Sequence, residues 1–310
     1  MNEIRDIIRE RVLSTGAVAV GFAAAGEIET RAAGEYDAWI GEGCHSGMDY
    51  LARHALLKRH PRNVLEGVRS VVSIAYSYAP AVWRAEELPV ISCYAYGLDY
   101  HDVLRRRLSP VVDNLKERLG GEWRVCIDSA PLAERYWAVK AGIGKRGLNG
   151  SVIVDHFGSY IFLVELLTTL SVASESPEKG DLWCEGCGAC VRACPQGALR
   201  GDGTLDSRRC LNYLTIEHRG EWEGESREAM QTSAGHHTLY GCDICQRVCP
   251  HNRDIPPTTI TEFSPLPDIL TLDREALLSM DQASFSRIFR GSPIKRGKLA
   301  GLLRNARNLS

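Results

Sequence analysis

Eight of the eleven cysteines in this chain lie between residues 184 and 249, and their spacing limits what that region can fold into. Residues 184–195 read CEGCGACVRACP and fit the pattern C-x2-C-x2-C-x3-C-P without a gap. This pattern binds [4Fe–4S] clusters, and where two clusters are present its fourth cysteine ligates the second one. The first run therefore predicts a module with two clusters.

A second cysteine run, at residues 240–250, lacks one of the four expected ligands. It reads YGCDICQRVCP, and Leu239 stands where a full run would begin with cysteine. Cys210 is the other cysteine nearby, and it completes the eight thiolates that two cubane clusters need. On the crossed pattern we predict these ligands: Cys184, Cys187, Cys190 and Cys249 for cluster 1, and Cys194, Cys210, Cys242 and Cys245 for cluster 2.

Closely spaced cysteines also occur in zinc sites and in disulfides. C-x2-C pairs also bind zinc, so a pair of zinc knuckles is the alternative to clusters. Disulfides are disfavoured because the N-terminus, MNEIRDIIRE, has no secretory signal and no apolar run is long enough to span a bilayer. We expect a cytoplasmic protein without membrane contact, and the net charge of −2 requires no polyanionic partner.

Residues before the cysteine module have the pattern of a mixed α/β domain. Residues 4–13 carry apolar side chains at helical spacing, and residues 17–22, 71–78 and 159–167 read as strands. Residues 100–121 read as a helix that is broken or kinked at Pro110. The polar stretch 171–181 is a plausible linker. We predict segments 1–172, 173–258 and 259–310, the last of them short, helical and basic.

Several further stretches, in the same order and with similar gaps, resemble epoxyqueuosine reductases. They are GLDYHDVLRRRL (97–108), IDSAPLAERYWAVKAGIG (127–144), FGSYIFLVELLTTL (157–170) and GSPIKRGKLAGLLRN (291–305), together with the cysteine module. The resemblance implies an α+β chain: a nitroreductase-like corrinoid-binding domain, then a ferredoxin-like domain with two [4Fe–4S] clusters. It also implies reduction of epoxyqueuosine to queuosine at the tRNA wobble position, by cob(I)alamin that the clusters keep reduced.

The resemblance also implies roles for four residues of the first segment. Asp128, in the sequence DSAP, matches the proposed proton donor, although a helix N-cap is the alternative for an Asp before a Pro-initiated helix. Arg59 matches a residue that contacts the corrinoid, and Tyr100 and His101 match a motif beside the cofactor. The loop 144–150, GKRGLNG, departs from the family pattern, which leaves the substrate contacts open.

The C-terminal segment is basic and has no acidic residue after position 287. We predict that it binds tRNA phosphates, although charge runs are also commonly solvated helix faces. The residues assigned to this role are Lys295, Arg296, Lys298 and Arg304. The chain ends at Ser310, so it resembles the short family members that lack C-terminal helical repeats.

Epoxyqueuosine reduction is the leading hypothesis for the function of this chain, and there are two alternative functions. One is a corrinoid and iron–sulfur reductase of a small molecule, similar to reductive dehalogenases; the other is an electron-transfer module without catalytic activity. For the enzyme we expect a monomer that receives electrons from a flavodoxin- or ferredoxin-type donor.

Overall fold

A four-stranded antiparallel sheet lies at the centre of the first segment. We describe it from a computed structural model, which covers residues 2–175, 184 and 186–310, apart from the side chain of Asn2. Residues 176–181 of the predicted linker lie outside the described residues. The spatial order of the strands is β1 (Ala19–Ala24), β2 (Ser70–Ser77), β7 (Ile161–Thr168) and β4 (Trp123–Cys126).

The register of the sheet places its two longest strands in the centre. Ser70 pairs with Thr168 and Ser77 pairs with Ile161, so β2 and β7 run antiparallel over eight residues. Every residue of β2 is buried, and its sequence SVVSIAYS accordingly places apolar residues on both faces of the sheet. Helices therefore have to cover the sheet on both sides.

Five helices belong to the first segment, and they cover both faces. Helices α1 and α4 pack on one face, where Ile8 and Leu104 meet Val72, and α5 packs on the other, where Trp137 meets Val71. The helices are α1 (Asn2–Leu13), α2 (Thr30–Gly41), α3 (Asp49–Arg53), α4 (Tyr100–Leu119) and α5 (Glu134–Lys140). Two short strands, β5 (Lys145–Arg146) and β6 (Val152–Ile153), form a separate hairpin.

Helix α4 runs through Pro110 without interruption, so the predicted break is wrong. Pro110 has no N–H to donate to the carbonyl of Arg106, but both residues are on the exposed side of the helix, where water reaches that carbonyl. Ser109 Oγ donates to the carbonyl of Arg105 at 2.8 Å. Leu104, Leu108 and Leu115 anchor the opposite side in the core.

The remaining helices are short and surround the cysteine runs or form the C-terminus. They are α6 (Ala189–Ala193), α7 (Leu211–Ile216), α8 (Gly224–Met230), α9 (Ser233–His237), α10 (Ile244–Arg247), α11 (Pro267–Thr271), α12 (Arg274–Leu278), α13 (Gln282–Ile288) and α14 (Lys298–Arg307). Among the described residues, no helix is both long and apolar enough to cross a bilayer.

The predicted segments share one core. Strand β3 (Val90–Ile91) pairs in parallel with β8 (Thr238–Tyr240), which joins the first segment to the cysteine module. The largest apolar cluster contains Ile8, Leu239 and Leu302, one residue from each segment. The predicted α+β class and helical C-terminus are confirmed, while the boundaries at 172 and 258 stay predictions.

Candidate active site

The first cysteine run folds as a tight turn followed by one helical turn. Gly186 and Gly188 adopt φ values of 73° and 58°, a left-handed conformation that residues with a Cβ rarely take. Helix α6 then carries Cys190 and ends before Cys194. The amide of Ala198 donates to Cys194 Sγ at 3.3 Å, a contact of the kind that tunes cluster thiolates.

Electrostatic interactions among the thiols divide the eight cysteines into two sets. Burial, together with Cys184 and Cys249, raises the pKa of Cys190. Burial likewise raises the pKa of Cys249, which interacts with Cys184 and Cys187. The last cysteine of the second run therefore lies among the first three cysteines of the first run.

The other four thiols form the second set. Burial, with Cys210 and Cys194 nearby, raises the pKa of Cys242 to about 12. Burial also raises the pKa of Cys245, which interacts with Cys242 and Cys210. Cys210 lies at the N-cap of α7, next to Cys194, although it is far from both runs in the sequence. The structure thus brings together the same two groups that the crossed pattern predicts.

Neither set of thiols forms a site for a single metal ion within the described residues. Within the described part of the chain, no three His, Cys, Asp or Glu side chains come close enough to bind a single metal ion. A structural zinc site instead requires four ligands at about 2.0–2.3 Å from one ion. All eleven cysteines are free thiols, so none is engaged in a disulfide.

Asp128 lies in the turn between β4 and α5. Its φ of 54° is left-handed, which is uncommon for a residue other than glycine. The N-cap of α5 is Ala133, so the alternative interpretation of Asp128 as a helix N-cap is wrong. The carboxylate instead accepts a hydrogen bond from Tyr100 Oη at 2.7 Å, and its Oδ2 lies 3.5 Å from His101 Nε2.

Tyr100 and His101 begin helix α4, and Asp99 is the N-cap that orients them. Asp99 Oδ1 accepts the backbone N–H of His101 at 3.0 Å and lies 2.9 Å from Nδ1 of its ring. The imidazole is therefore held between the carboxylates of Asp99 and Asp128. The ring of Tyr100 stacks on Phe162 at 4.2 Å, which fixes the direction of its hydroxyl.

These contacts shift the protonation equilibria in opposite directions. The hydrogen bond from His101 is the main cause that lowers the pKa of Asp128 to about 2, and Tyr100 adds to it. Burial disfavours the imidazolium of His101, but the hydrogen bonds to Asp128 and Asp99 outweigh burial and raise its pKa. Asp128 is therefore a carboxylate at neutral pH, and His101 keeps its proton to higher pH than an ordinary histidine does.

Asp128 and Glu217 of the cysteine module both interact with Tyr50, and we call the space beside these three side chains the recess. Its side chain is 62% exposed, although burial opposes ionisation of its carboxyl group. Burial, with Glu217 and Asp128 nearby, raises the pKa of Tyr50 to about 12. Glu217 follows α7 and also interacts with Tyr94, so the module supplies one wall of the recess.

Arg59 lies in a 3-10 turn, Leu57–Arg59, at the edge of this domain. Its guanidinium pairs with Asp37, while its Nε is buried and has no hydrogen-bond partner within the described residues. A buried donor without a partner is uncommon and is available to a ligand. This observation is compatible with the predicted contact between Arg59 and the corrinoid, which stays a prediction.

The structure corrects one residue of the predicted tRNA-binding set. Arg304 is only 7% exposed, and its guanidinium donates to the carbonyls of Leu214, His218 and Gly220. It stabilises the end of α7 and the chain that follows, and it is not available to a phosphate. A basic run suggested a solvated surface because sequence alone does not show which side of α14 packs inward.

The three other basic residues of that set are exposed. Lys295 and Arg296 lie in the 3-10 turn Pro293–Gly297, and Lys298 begins α14. Arg296 Nε donates to Asp99 Oδ2 at 2.9 Å, and its side chain remains 54% exposed. The C-terminal segment therefore contacts the Asp99–His101–Asp128 group directly.

Sequence analysis did not identify Asp99, which belongs to this group, or Lys58 and Glu134, which lie next to it. Glu134 Oε1 accepts the backbone N–H of Asp128 at 2.5 Å, and Lys58 Nζ donates to the carbonyl of Leu132 at 2.9 Å. An N-cap signal was present for Asp99, because an Asp stands immediately before a helical pattern. Lys58 offered no such signal, since it reaches the site only through the tertiary fold.

Comparison with known proteins was consistent across domain families, whole sequences and structures. Residues 58–129 match the domain family described as epoxyqueuosine reductase QueG, and residues 183–252 match the 4Fe-4S double cluster binding domain. The latter match favours clusters over the zinc alternative. The epoxyqueuosine reductase of Cyclobacterium marinum is 37% identical over 86% of this chain and 84% of its own. That of Cellulophaga algicola is 32% identical over 97% and 96%.

Solved structures agree with the sequence relatives. The epoxyqueuosine reductase of Streptococcus thermophilus superposes with a TM-score of 0.87 at 29% identity, covering 99% of this chain and 80% of that one. An epoxyqueuosine reductase bound to an epoxyqueuosine-modified tRNA-Tyr stem loop gives 0.87 at 28%, with the same coverage. The Bacillus subtilis enzyme, with its catalytic aspartate loop swung out of the active site, gives 0.84 at 27%, covering 99% and 81%. The chain belongs to the epoxyqueuosine reductase family of oxidoreductases.

Proposed function

We propose that this chain reduces epoxyqueuosine to queuosine at the wobble position of tRNA. The observation that carries the proposal is that one chain combines the Asp99–His101–Asp128 group with two sets of four thiols. Glu217 of the cysteine module interacts with Tyr50, which also interacts with Asp128. A family relative has been solved with an epoxyqueuosine-modified tRNA stem loop, which supports the same substrate here. Loss of the epoxide oxygen as water requires two electrons and two protons, so both electron and proton delivery are needed.

Electrons are delivered by the cysteine module. We assign Cys184, Cys187, Cys190 and Cys249 to one [4Fe–4S] cluster and Cys194, Cys210, Cys242 and Cys245 to the other. Each set gathers around its own space, and the sets adjoin through Cys190 and Cys245. Two adjoining clusters can pass single electrons from a flavodoxin- or ferredoxin-type donor to the recess.

We place a large planar cofactor in the recess, beside Tyr50 and Asp128. Cobalamin, when bound, supplies a strongly nucleophilic, low-potential cobalt centre for opening the epoxide. Arg59 has an unpartnered buried Nε, and Tyr100 and His101 contact Asp128, which borders the recess. We assign these four residues to the cofactor side of the site.

Protons are delivered through His101 and Asp128. With Asp128 ionised in the resting site, His101 holds the proton and Asp128 carries it to the epoxide oxygen. Asp128 is thus the final proton donor, and His101 refills it. Tyr100 keeps the Asp128 carboxylate directed toward the recess.

The tRNA is bound at the C-terminal segment. Lys295 and Lys298 are exposed and meet the phosphate backbone, and Arg296 lies between them and Asp99. This basic surface is adjacent to the recess, so a bound stem loop can present its wobble base to Asp128. We further propose a monomer in the cytoplasm, where the free thiols stay reduced before cluster insertion.

An anaerobic turnover assay tests the proposed function. The protein is reconstituted with iron, sulfide and cobalamin, then given a chemical reductant and tRNA carrying epoxyqueuosine, and the nucleosides are analysed by mass spectrometry. We expect cobalamin-dependent loss of one oxygen atom from the modified base. Cobalamin binding without that loss would favour a small-molecule corrinoid reductase, and absence of cobalamin binding would favour an electron-transfer module.

A further inference from the structure

Beneath the Asp128 turn lies a group of buried and partly buried ionisable side chains that proton delivery does not use. Glu165 is in the middle of β7, where it is completely buried, and it accepts a hydrogen bond from Ser73 at 3.2 Å. Its Oε2 has no partner within the described residues. Lys58 and Glu134 lie above it, and both interact electrostatically with it. Burying such groups costs free energy of folding. A functional role of their hydrogen bonds would explain why they are present.

Two of these groups hold the turn that carries Asp128. Glu134 reaches back from the first position of α5, and its Oε1 accepts the Asp128 N–H at 2.5 Å. Lys58 donates to the carbonyl of Leu132 at 2.9 Å, near the other end of the turn. The Leu132 side chain is buried, whereas Asp128 and Ser129 are exposed. The exposed half of the turn therefore depends on the Glu134 hydrogen bond.

The conformation of the turn explains why it needs to be held. Asp128 adopts a left-handed φ of 54°, which is a strained conformation for a residue with a Cβ. Ser129 N–H bonds back to the carbonyl of Ile127, so the turn is also very tight. Without an acceptor for its N–H, Asp128 gains by relaxing to an ordinary φ, and its carboxylate then leaves His101.

The charges facing Glu134 are balanced within the group. Lys58 and Arg135 face it as cations, and Asp128 and Glu165 face it as acids. Burial raises the pKa of Glu134 to about 7, with Asp128 adding to the effect and Lys58 opposing it. Lys58 is the partly buried cation that favours the ionised, hydrogen-bond-accepting form of Glu134.

We propose that Glu134 and Lys58 are positioning residues, which keep the Asp128 turn in the conformation that brings its carboxylate to His101 and Tyr100. The catalytic consequence rests on the proposed function, but the structural claim does not. The turn is predicted to open when either hydrogen bond is removed, while the clusters, which are bound by the other module, stay intact.

Hydrogen exchange of the cluster-loaded full-length protein tests the structural claim without turnover. We expect Glu134→Ala to speed amide exchange in residues 127–132 by at least about tenfold, the loss expected for one hydrogen bond. Glu134→Gln retains a carbonyl acceptor and is expected to keep exchange within about threefold of the unmodified protein. Lys140→Met is the matched control, since it removes an exposed ion pair to Glu29 from the same helix.

Kinetics on epoxyqueuosine-containing tRNA then separate positioning from general stability. Glu134→Ala is expected to lower kcat by about 10- to 100-fold with KM unchanged, because the turn does not bind RNA, and Glu134→Gln is expected to restore most of kcat. Unchanged exchange in Glu134→Ala would overturn the proposal. If that variant loses its clusters, Lys58→Met decides instead: faster exchange in 127–132 supports the proposal, and unchanged exchange overturns it. Absence of turnover in the unmodified protein would count against the proposed function alone.

Discussion

The Nε2 atom of His101 lies 3.5 Å from Oδ2 of Asp128, while Nδ1 of the same ring lies 2.9 Å from Oδ1 of Asp99. One imidazole therefore connects an exposed carboxylate at the recess with a buried carboxylate behind it. Nδ1 also lies 3.0 Å from Nη2 of Arg296. This relationship makes the histidine, and not only the aspartate, decisive for the pH dependence of the reaction.

We predict that turnover falls as the pH rises through the pKa of His101. Because Asp128 and Asp99 raise that pKa, the imidazolium persists to higher pH than in an ordinary histidine, and activity is fully present below this range. His101→Gln is expected to lower kcat about 100-fold or more and to remove this pH limb. His156→Gln, at an exposed histidine, is the control. An unchanged pH profile in His101→Gln would exclude the imidazole as the proton source.

Replacing Asp128 with Asn keeps the size of the side chain and removes the proton carrier. We expect turnover to fall by about 100- to 10,000-fold, the range for loss of a general acid. Iron content, sulfide content and the electron paramagnetic resonance spectra of the reduced clusters are expected to match the unmodified protein. Turnover within a few-fold of that protein would remove Asp128 from the mechanism.

Loss of Cys210 is predicted to damage one cluster and spare the other. Its thiol lies with Cys194 in the second set, so Cys210→Ala is expected to lower iron and sulfide by as much as about half. Cys126→Ala is the matched control, because Cys126 is a buried cysteine in β4 that belongs to neither set. Equal iron contents in the two variants would show that the eighth ligand is another residue.

Arg304 and Lys298 are both basic residues of α14, but we expect opposite phenotypes. Arg304→Met leaves the carbonyls of Leu214, His218 and Gly220 without their donor, and is expected to lower the free energy of unfolding by about 2–4 kcal/mol. Thermal unfolding of the two variants measures this difference. A stable Arg304→Met protein would contradict the structural role.

Lys298→Met is expected to leave the melting temperature unchanged and to weaken tRNA binding. Removal of one phosphate contact reduces the slope of log affinity against log salt by about one. Fluorescence anisotropy with a labelled stem loop over a salt series measures the slope, and Lys295→Met is expected to behave similarly. An unchanged slope in both variants would place the RNA elsewhere on the protein.

The cluster residues could be predicted from sequence because most of their geometry is local. A C-x2-C-x2-C-x3-C-P run places its cysteines within one turn and one short helix, whatever the rest of the chain does. Cys210 was found only by counting ligands, and the structure brings it beside Cys194. The helix predicted at 4–13 and the strands predicted at 71–78 and 159–167 likewise follow from local patterns, and they are confirmed as Asn2–Leu13, Ser70–Ser77 and Ile161–Thr168.

The surroundings of Asp128 could not be predicted in the same way. Asp99 and His101 are neighbours in the chain, but Asp128 joins them only when β4 and α4 pack together. The error at Arg304 has the same origin, because its partners are about 85–90 residues away in the sequence. Interactions that link distant segments leave no periodic or spacing signal in a single sequence.

The shared core has a consequence for how the protein is made. Strand β3 finds its partner β8 only after about 150 more residues have been synthesised, and the apolar cluster that contains Ile8 is completed by Leu302 and Leu309 at the end of the chain. Until the ribosome releases the C-terminus, the growing polypeptide exposes apolar surface that it cannot yet bury. A chain shortened within α14 is therefore expected to leave part of this cluster without its packing partners.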